Sequence, residues 1–389
     1  MRFLHTSDWH LGKKLEGRSR IEEQRAVLDS LIQTVEKENI EVVLICGDVY
    51  DSFTPSAEAE QLFFDVVFRL SSLKVVTVII SGNHDDPTRL CASQKLAMLS
   101  NVWFSDCERG EFIIDDGAKA YAIDGGRDYL IVENAKKERA YIALLPYPTE
   151  LRMRERVQAD ETYEDKVTRY VRSALEANTE RLPAILCAHV FMLGGQAGRS
   201  ERAIELGGAR ILPPSVIPDQ VVYTALGHIH KRQVVNAERN MIYCGSIFQC
   251  AFDERNYQKS VTVFDLTDGK IENLKCVELK GYKRLLSLTA EGYEAGLSLL
   301  DGHDDTFVEL NLILNQPLTS EMTREIVTKH PNVFLRTQLN VAAGERTQSR
   351  KTMTDEQLFV NFYTQLYGEA PDEEIKSLYL SLVADEVEE

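Results

Sequence analysis

An α/β fold class follows from three features of this 389-residue sequence. Up to about residue 110, short apolar runs alternate with stretches of helical period. Residues 221–280 then read as all-β, ending in VTVFDLTDGKI, a strand followed by an Asp-Gly turn. Finally, five apolar runs stop at polar residues able to hold a metal ion: RFLHTSDWH (2–10), VVLICGDVYD (42–51), VVTVIISGNHD (75–85), AILCAHV (184–190) and VVYTALGHIH (221–230). Alternating strand and helix implies a parallel or mixed sheet with helices packed on it. In such sheets the reactive groups gather beyond the carboxyl ends of the strands.

Taken in order, the first run is a buried strand beginning at Arg2-Phe3-Leu4. From that start no secretory leader is expected. A helix fits 20–38, where Ile21, Leu28, Leu31, Ile32 and Val35 share one face. Others fit 56–72 and 88–99. The segment AEQLFFDVVFRL (59–70) is apolar on too many faces for a one-sided surface helix. Core packing accounts for part of it, and contact with another subunit is expected for the rest. Residues 110–150 read as short strands and turns (EFIID, KAYAID, DYLIV, AYIALLPYP), and a polar helix fits 162–180.

A break falls near 280. Residues 284–340 read strand (RLLSLTA), helix (EGYEAGLSLL), strand (TFVELNLIL), helix (SEMTREIVTKH), strand (NVFLRTQL), with no ligand-type endings. The expected division is therefore a main domain over 1–280, a small α/β domain over 281–340, a polar linker over 341–353 and a C-terminal segment over 354–389. That segment carries two apolar stripes, one of Leu358, Phe359, Phe362 and Leu366, the other of Ile375, Leu378, Tyr379, Leu382 and Val383. Following a polar linker, they suit docking on a partner.

The net charge of −17 argues against a generally basic nucleic-acid binder. It is unevenly spread, however: residues 354–389 hold ten acids and one base, leaving −8 for everything before them. A body of modest charge can still hold a local basic groove. The seven cysteines (46, 91, 107, 187, 244, 250, 276) include no CxxC pair and are expected to be reduced thiols in a cytoplasmic protein. No apolar run approaches the roughly 20 residues that span a membrane.

The strand ends deliver Asp8, His10, Asp48, Asn83, His84, His189, His228 and His230. Carboxylate, imidazole and amide together suit a two-metal hydrolytic site. Alone, each block is weak. Together Asp8-Trp9-His10, Gly47-Asp48-Val49-Tyr50-Asp51, Gly82-Asn83-His84-Asp85, His189 and Gly227-His228-Ile229-His230 resemble, in order, the blocks of the calcineurin-like metallophosphoesterases. HTSDWHLG (5–12), GDVYD (47–51), SGNHD (81–85) and CGSIFQCAFDE (244–254) are most similar to that family's DNA-repair nuclease branch. Archaeal and eukaryotic members carry His where this chain has Asp51, so the resemblance is to the bacterial members.

The resemblance implies a four-layer β-sandwich flanked by helices, with a small capping domain and C-terminal partner-binding helices. It also implies two metal ions, Mn²⁺ by family habit, one held by Asp8, His10, Asp48 and His230 and the other by Asp48, Asn83, His189 and His228. Asp48 would bridge them. His84 would be the catalytic histidine, oriented by Asp51 and Asp85. The implied activity is double-strand exonuclease and single-strand or hairpin endonuclease cleavage of DNA, as a homodimer joined to an SbcC-type ABC ATPase. The sequence has no GxxxxGK[ST] of its own, so an ATP requirement would lie in that partner. A phosphodiesterase or phosphatase of small substrates, using the same metals, is the alternative.

Around this set, Gly12–Arg20 reads as a flexible basic loop offering Lys13, Lys14, Arg18 and Arg20 to phosphate, or simply as a solvated loop. Lys231 and Arg232, directly after GHIH, are further candidates for DNA contact. His5 is expected to be structural, and His303 and His330 to lie on the solvated surface.

Overall fold

The computed structural model describes all residues except 106, 108–111, 113–116, 150–152, 154–160, 199–210, 341–354, 368–369, 374, 377–378 and 380–389. The linker expected at 341–353 therefore lies outside the described residues, as do Leu378, Leu382 and Val383 and all of EFIID except Phe112. The chain forms two compact units, Met1–Ser287 with Gly302–Glu309, and Leu288–Asp301 with Leu310–Glu389. No helix among the described residues is long and apolar enough to cross a membrane.

The strands of the first unit are β1 (Arg2–Thr6), the short pair β2 (Lys14–Leu15) and β3 (Arg18–Ser19), β4 (Val42–Cys46), β5 (Val76–Ile80), β6 (Val102–Phe104), β7 (Ala120–Gly125), β8 (Tyr129–Asn134), β9 (Arg139–Leu145), β10 (Ala184–His189), β11 (Phe191–Met192), β12 (Ile211–Leu212), β13 (Val221–Gly227), β14 (Gln233–Asn236), β15 (Met241–Tyr243), β16 (Ser260–Thr267) and β17 (Lys270–Glu278). Six make one mixed sheet in the order β17-β16-β1-β4-β5-β6, and seven make a second in the order β14-β15-β13-β10-β9-β8-β7. β1, β4 and β5 run parallel, as do β9, β10 and β13.

Period-two side-chain alternation then builds the layers. Val42, Leu44 and Cys46 of β4 join Ile185 and Cys187 of β10 and Tyr223 and Ala225 of β13 in the core between the sheets. Val43 and Ile45 point the other way, into a core with helices α1 (Ile21–Lys37) and α2 (Ala57–Ser72). On the far side, Leu186 of β10 and Leu226 of β13 pack with Val167 and Val171 of α5 (Tyr163–Glu176). Helix, sheet, sheet and helix are the four layers. A reciprocal capping box between Thr162 and Asp165 starts α5.

The expected helix at 88–99 is two short ones, α3 (Pro87–Cys91) and α4 (Gln94–Met98). Ser93 at φ −94° and ψ 0° leaves the helical path between them, and the Gln94 side chain accepts from the Phe104 amide 2.9 Å away. Here too the structure departs from the all-thiol expectation: packing of α3 against the chain after β6 brings Cys91 and Cys107 together as a disulfide.

The second unit contains β20 (Val333–Leu339) and most of β18 (Leu285–Glu291) and β19 (Phe307–Leu314), which pair in the order β18-β19-β20. It carries α6 (Tyr293–Leu299), α7 (Ser320–Lys329) and α8 (Asp355–Tyr367). His330 is buried, not solvated, packed in where the chain turns from α7 into the next strand, with its amide donating to Ile326 O and its carbonyl accepting from the Val333 amide. The Phe359 and Tyr379 rings stack 4.1 Å apart, while Phe362 is exposed.

Candidate metal centre

The ligand-bearing loops are extensions of the two sheets. Beyond β1 and β4 the parallel pairing continues: Asp8 N donates to Gly47 O (3.0 Å), His10 N to Asp48 O (3.0 Å) and Leu11 N to Val49 O (2.9 Å). These loops hold three non-glycine residues in left-handed backbone, Asp8 (φ 51°), His10 (φ 42°) and Asp48 (φ 50°), joined by His228 (φ 100°) after β13. Such conformations are strained and persist where the surroundings over-determine them, commonly at functional sites.

Cross-bracing supplies that determination. The Asp48 Oδ1 accepts from the His84 amide at 2.9 Å. Asp8 accepts from the His228 amide at 3.0 Å and from Ser7 Oγ. The buried Asp85 carboxylate accepts from the amides of Gly82, Val49 and Tyr50 at 2.8, 3.1 and 3.0 Å. Burial and the nearby Asp48 charge push Asp85 up to about 6. Close approach also explains two glycines. A Cβ on Gly227 would lie 1.8 Å from Cys46 O, and one on Gly82 2.1 Å from Asp48 Oδ1.

The structure brings all the expected donors together. On one side, His10 Nε2 lies 3.0 Å from His230 Nε2 and 3.6 Å from Asp48 Oδ2, and Asp8, His10 and His230 form a buried trio. On the other, Asn83 Oδ1 lies 2.9 Å from both His189 Nε2 and His228 Nδ1, and His189 Nε2 is 3.4 Å from Asp48 Oδ2. Asp48 is thus common to both groups. It ionises well below the usual carboxylate range: burial opposes this, but the charges of His189, His10 and His84 outweigh it.

The donor chemistry fits two cations. His189 Nδ1 donates to Cys46 O at 2.9 Å, and His230 Nδ1 faces Glu254 Oε1 at 2.7 Å, so each turns an Nε2 lone pair into the centre. Burial opposes a charge on His189, but Asp48 prevails and pushes it up to about 9. His230 is likewise raised, by Glu254 against burial. The centre's negative potential therefore draws positive charge.

Glu254 was not among the sequence-predicted site residues. It sits on a 3-10 turn at Phe252–Glu254, is buried, and accepts from Lys259 Nζ at 2.6 Å. Its segment, FDE, was visible only as part of the family pattern. Tyr147, also missed, places its ring 5.9 Å from that of His228 and 6.2 Å from that of His189.

His84 is half-buried at the rim, its ring 4.9 Å from that of His10. With His10 and Asp48 it makes another possible metal-holding trio. Its Nδ1 lies 2.9 Å from the backbone carbonyl of Asp51, so the main chain orients it. Asp51's carboxylate instead faces His10 Nδ1 at 3.3 Å and Lys13 Nζ at 2.8 Å. Asp85, committed to backbone amides, braces the loops.

The basic candidates separate. Arg20 is a core residue: its side chain is fully buried, paired with Glu23 at 2.7 Å and placed over the Phe248 and Phe307 rings. A phosphate cannot reach it there. Gly12–Arg20 is a hairpin of β2 and β3, with Lys14 exposed and Arg18 half-buried on it. Lys13 is tied to Asp51. Lys231 donates to Gln196 at 3.0 Å, and Arg232 is half-buried. His5 is structural, buried 3.0 Å from the Tyr223 hydroxyl.

Residues 1–232 match the family model of the calcineurin-like phosphoesterases. The chain is 34% identical to the SbcD subunit of the SbcCD nuclease of Bacillus subtilis (strain 168), over 100% of this chain and 99% of the relative. It is 33% identical to the protein of the same name from Rhodobacter capsulatus, over 69% of this chain and 67% of that one. Among solved structures, TT1561 of Thermus thermophilus aligns at 12% identity and a TM-score of 0.38, over 72% of this chain and 99% of that one. With its five ligand blocks at five strand ends and a relative matched end to end, the chain belongs to the calcineurin-like phosphoesterases, in the family of the SbcD nuclease subunits.

Proposed function

We propose that this chain is the metal-dependent DNA nuclease subunit of an assembly with an SbcC-type ABC ATPase, acting in the cytoplasm in DNA repair, recombination and replication. The observation that carries the reading is the convergence of two donor groups on one shared carboxylate, Asp48. Asp8, His10, Asp48 and His230 would hold one divalent ion, and Asp48, Asn83, His189 and His228 the other. Oxygen and imidazole donors without thiolates suit Mn²⁺ or a similar hard ion, and Mn²⁺ is the family's. When bound, two such ions clamp a phosphodiester and activate water for in-line hydrolysis.

The chain's own residues do the rest. Asp48 fixes the two donor groups relative to each other, and its second oxygen positions the loop that bears His84. With Nδ1 donating to Asp51 O, His84 keeps Nε2 to hold or deliver a proton at the leaving oxygen. Glu254 and Cys46 O fix the ring orientations of His230 and His189. The products are double-strand exonuclease fragments and cut single-strand or hairpin ends.

In this reading the small domain over 281–340 guides DNA, and residues 354–389 tether the ATPase. The α2 face bearing Phe64 (49% exposed) and Phe68 (72% exposed) meets a second copy. The test is cleavage of end-labelled linear duplex DNA in Mn²⁺, with chelator and His84→Ala controls, before and after adding the ATPase partner and ATP. Cleavage by wild type alone, or on adding the partner, supports the reading. Brisk hydrolysis of a small phosphodiester with no DNA cleavage in either state would make the chain a small-substrate enzyme.

A further inference from the structure

A second polar cleft lies in the first unit. It has a volume of about 580 Å³ and runs between the turn after Glu254 and the chain leaving β17. Arg255, Tyr257, Glu278, Lys280, Tyr282 and Arg284 line it. In a chain of net charge −17, three cations facing one carboxylate stand out. Lys280 and Arg284 are exposed and form no ion pair among the described residues.

The walls are built. Buried Gln249 joins them: its Nε2 donates to Arg255 O and Tyr257 O at 3.0 and 3.2 Å, and its Oε1 accepts from Leu285 N at 2.8 Å. The Arg255 guanidinium donates to Phe252 O at 2.9 Å. Gly281, at φ 101°, passes so close to α1 that a Cβ would lie 2.8 Å from Ala26. One wall is shared with the metal centre's support: the Tyr257 ring lies 5.5 Å from Lys259 Nζ, which donates to Glu254 and to His230 O, and 5.7 Å from Lys231 Nζ.

Pockets of this size hold small molecules with a few placed polar groups. Each wall pairs cations with a tyrosine, Arg255 with Tyr257 on one and Lys280 and Arg284 with Tyr282 on the other, and cations beside aromatic rings and amides match a nucleotide unit. Basic grooves with aromatic platforms are how single strands are tracked. We propose that this cleft binds a nucleotide of the strand flanking the scissile bond, its phosphate on Lys280 and Arg284 and its base against the tyrosine rings. The proposal rests on the nuclease reading and adds to it where the strand goes.

The test is fluorescence anisotropy of a labelled oligo-dT single strand with full-length protein in chelator, alongside Mn²⁺-dependent hydrolysis of bis(p-nitrophenyl) phosphate. The variants are Lys280→Gln/Arg284→Gln and, to restore charge, Lys280→Arg/Arg284→Lys. Two lost phosphate contacts predict a salt slope shallower by about 1.4 and binding about 25-fold weaker near 0.1 M salt. Small-diester hydrolysis should be unchanged, and the charge-restoring variant should bind like wild type. Unchanged oligo-dT affinity in the Gln variant, while wild type cuts DNA, overturns the cleft and leaves the nuclease reading standing. Wild type that hydrolyses the small diester but neither binds nor cuts DNA overturns both.

Discussion

Glu254 Oε1 stands 2.7 Å from His230 Nδ1, and Lys259 Nζ stands 2.6 Å from the other oxygen of the same carboxylate, all within the buried interior. The pair fixes which nitrogen of His230 faces the metal centre. Losing such support commonly costs about 10–100-fold in metal affinity or activity. Glu254→Gln should therefore raise the Mn²⁺ concentration for half-maximal small-diester hydrolysis by that range, with activity recovered at excess metal. An unchanged Mn²⁺ requirement in a folded variant would remove Glu254 from the centre's support. Glu254→Ala should also destabilise the fold by about 3–5 kcal/mol, because it leaves Lys259 buried without its counter-charge.

Metal binding should release protons. With its proton held up to about 9, His189 should be protonated at pH 7.5 in chelator-treated protein, and as a ligand it would lose that proton on binding a cation. Affinity for Mn²⁺ should rise with pH until about 9 and fall as pH drops below it. Calorimetric titration in buffers of different ionisation enthalpy reads the released protons directly. A buffer-independent heat at pH 7.5 would contradict the assignment.

His84→Ala should lower DNA and small-diester cleavage by about 10²–10⁴-fold, the usual worth of a positioned acid or base. The Mn²⁺ requirement should hardly move, since His84 stands outside both proposed ligand sets. A large rise in that requirement would instead make the His10, Asp48 and His84 trio a ligand set.

Gly227→Ala tests the packing of strand ends. With a Cβ placed 1.8 Å from Cys46 O, the two sheets must part locally. Overpacking of this kind costs about 1–3 kcal/mol and occasionally more. The midpoint of urea unfolding should fall accordingly, and a wild-type midpoint would show that the β4 and β13 ends leave room for a methyl group.

Phe64→Ser/Phe68→Ser should convert a dimer to a monomer in analytical ultracentrifugation without unfolding it, because both rings are exposed while neighbouring Phe63 is buried. If wild type sediments as a monomer at micromolar concentration, the α2 face has another occupant.

The layers and most of the centre were legible because their signals are local. Val42–Cys46 is an unbroken apolar run that could only be a buried strand, and Gly47-Asp48 marks where it ends. The start of α5 was legible in the polar helix read from 162, although the helix ends at Glu176, short of the expected 180. What escaped depends on contacts distant in sequence. Glu254 reaches His230 across 24 residues from a turn with no periodicity. Arg20 looks like any loop arginine until Phe248 and Phe307 close over it, although Glu23 three residues on was a hint. The Cys91–Cys107 bond and the burial of His330 arise likewise from tertiary packing.

The ligand loops also cross between the sheets: His189 of the second donates to Cys46 O of the first, and the His228 amide donates to Asp8. A cation held by His189 and Asp48 would thus rivet two plates already stitched at their edge. Cohesion of the sandwich and occupancy of its centre become one equilibrium, so the same ion that serves chemistry would guard the fold against heat and proteases.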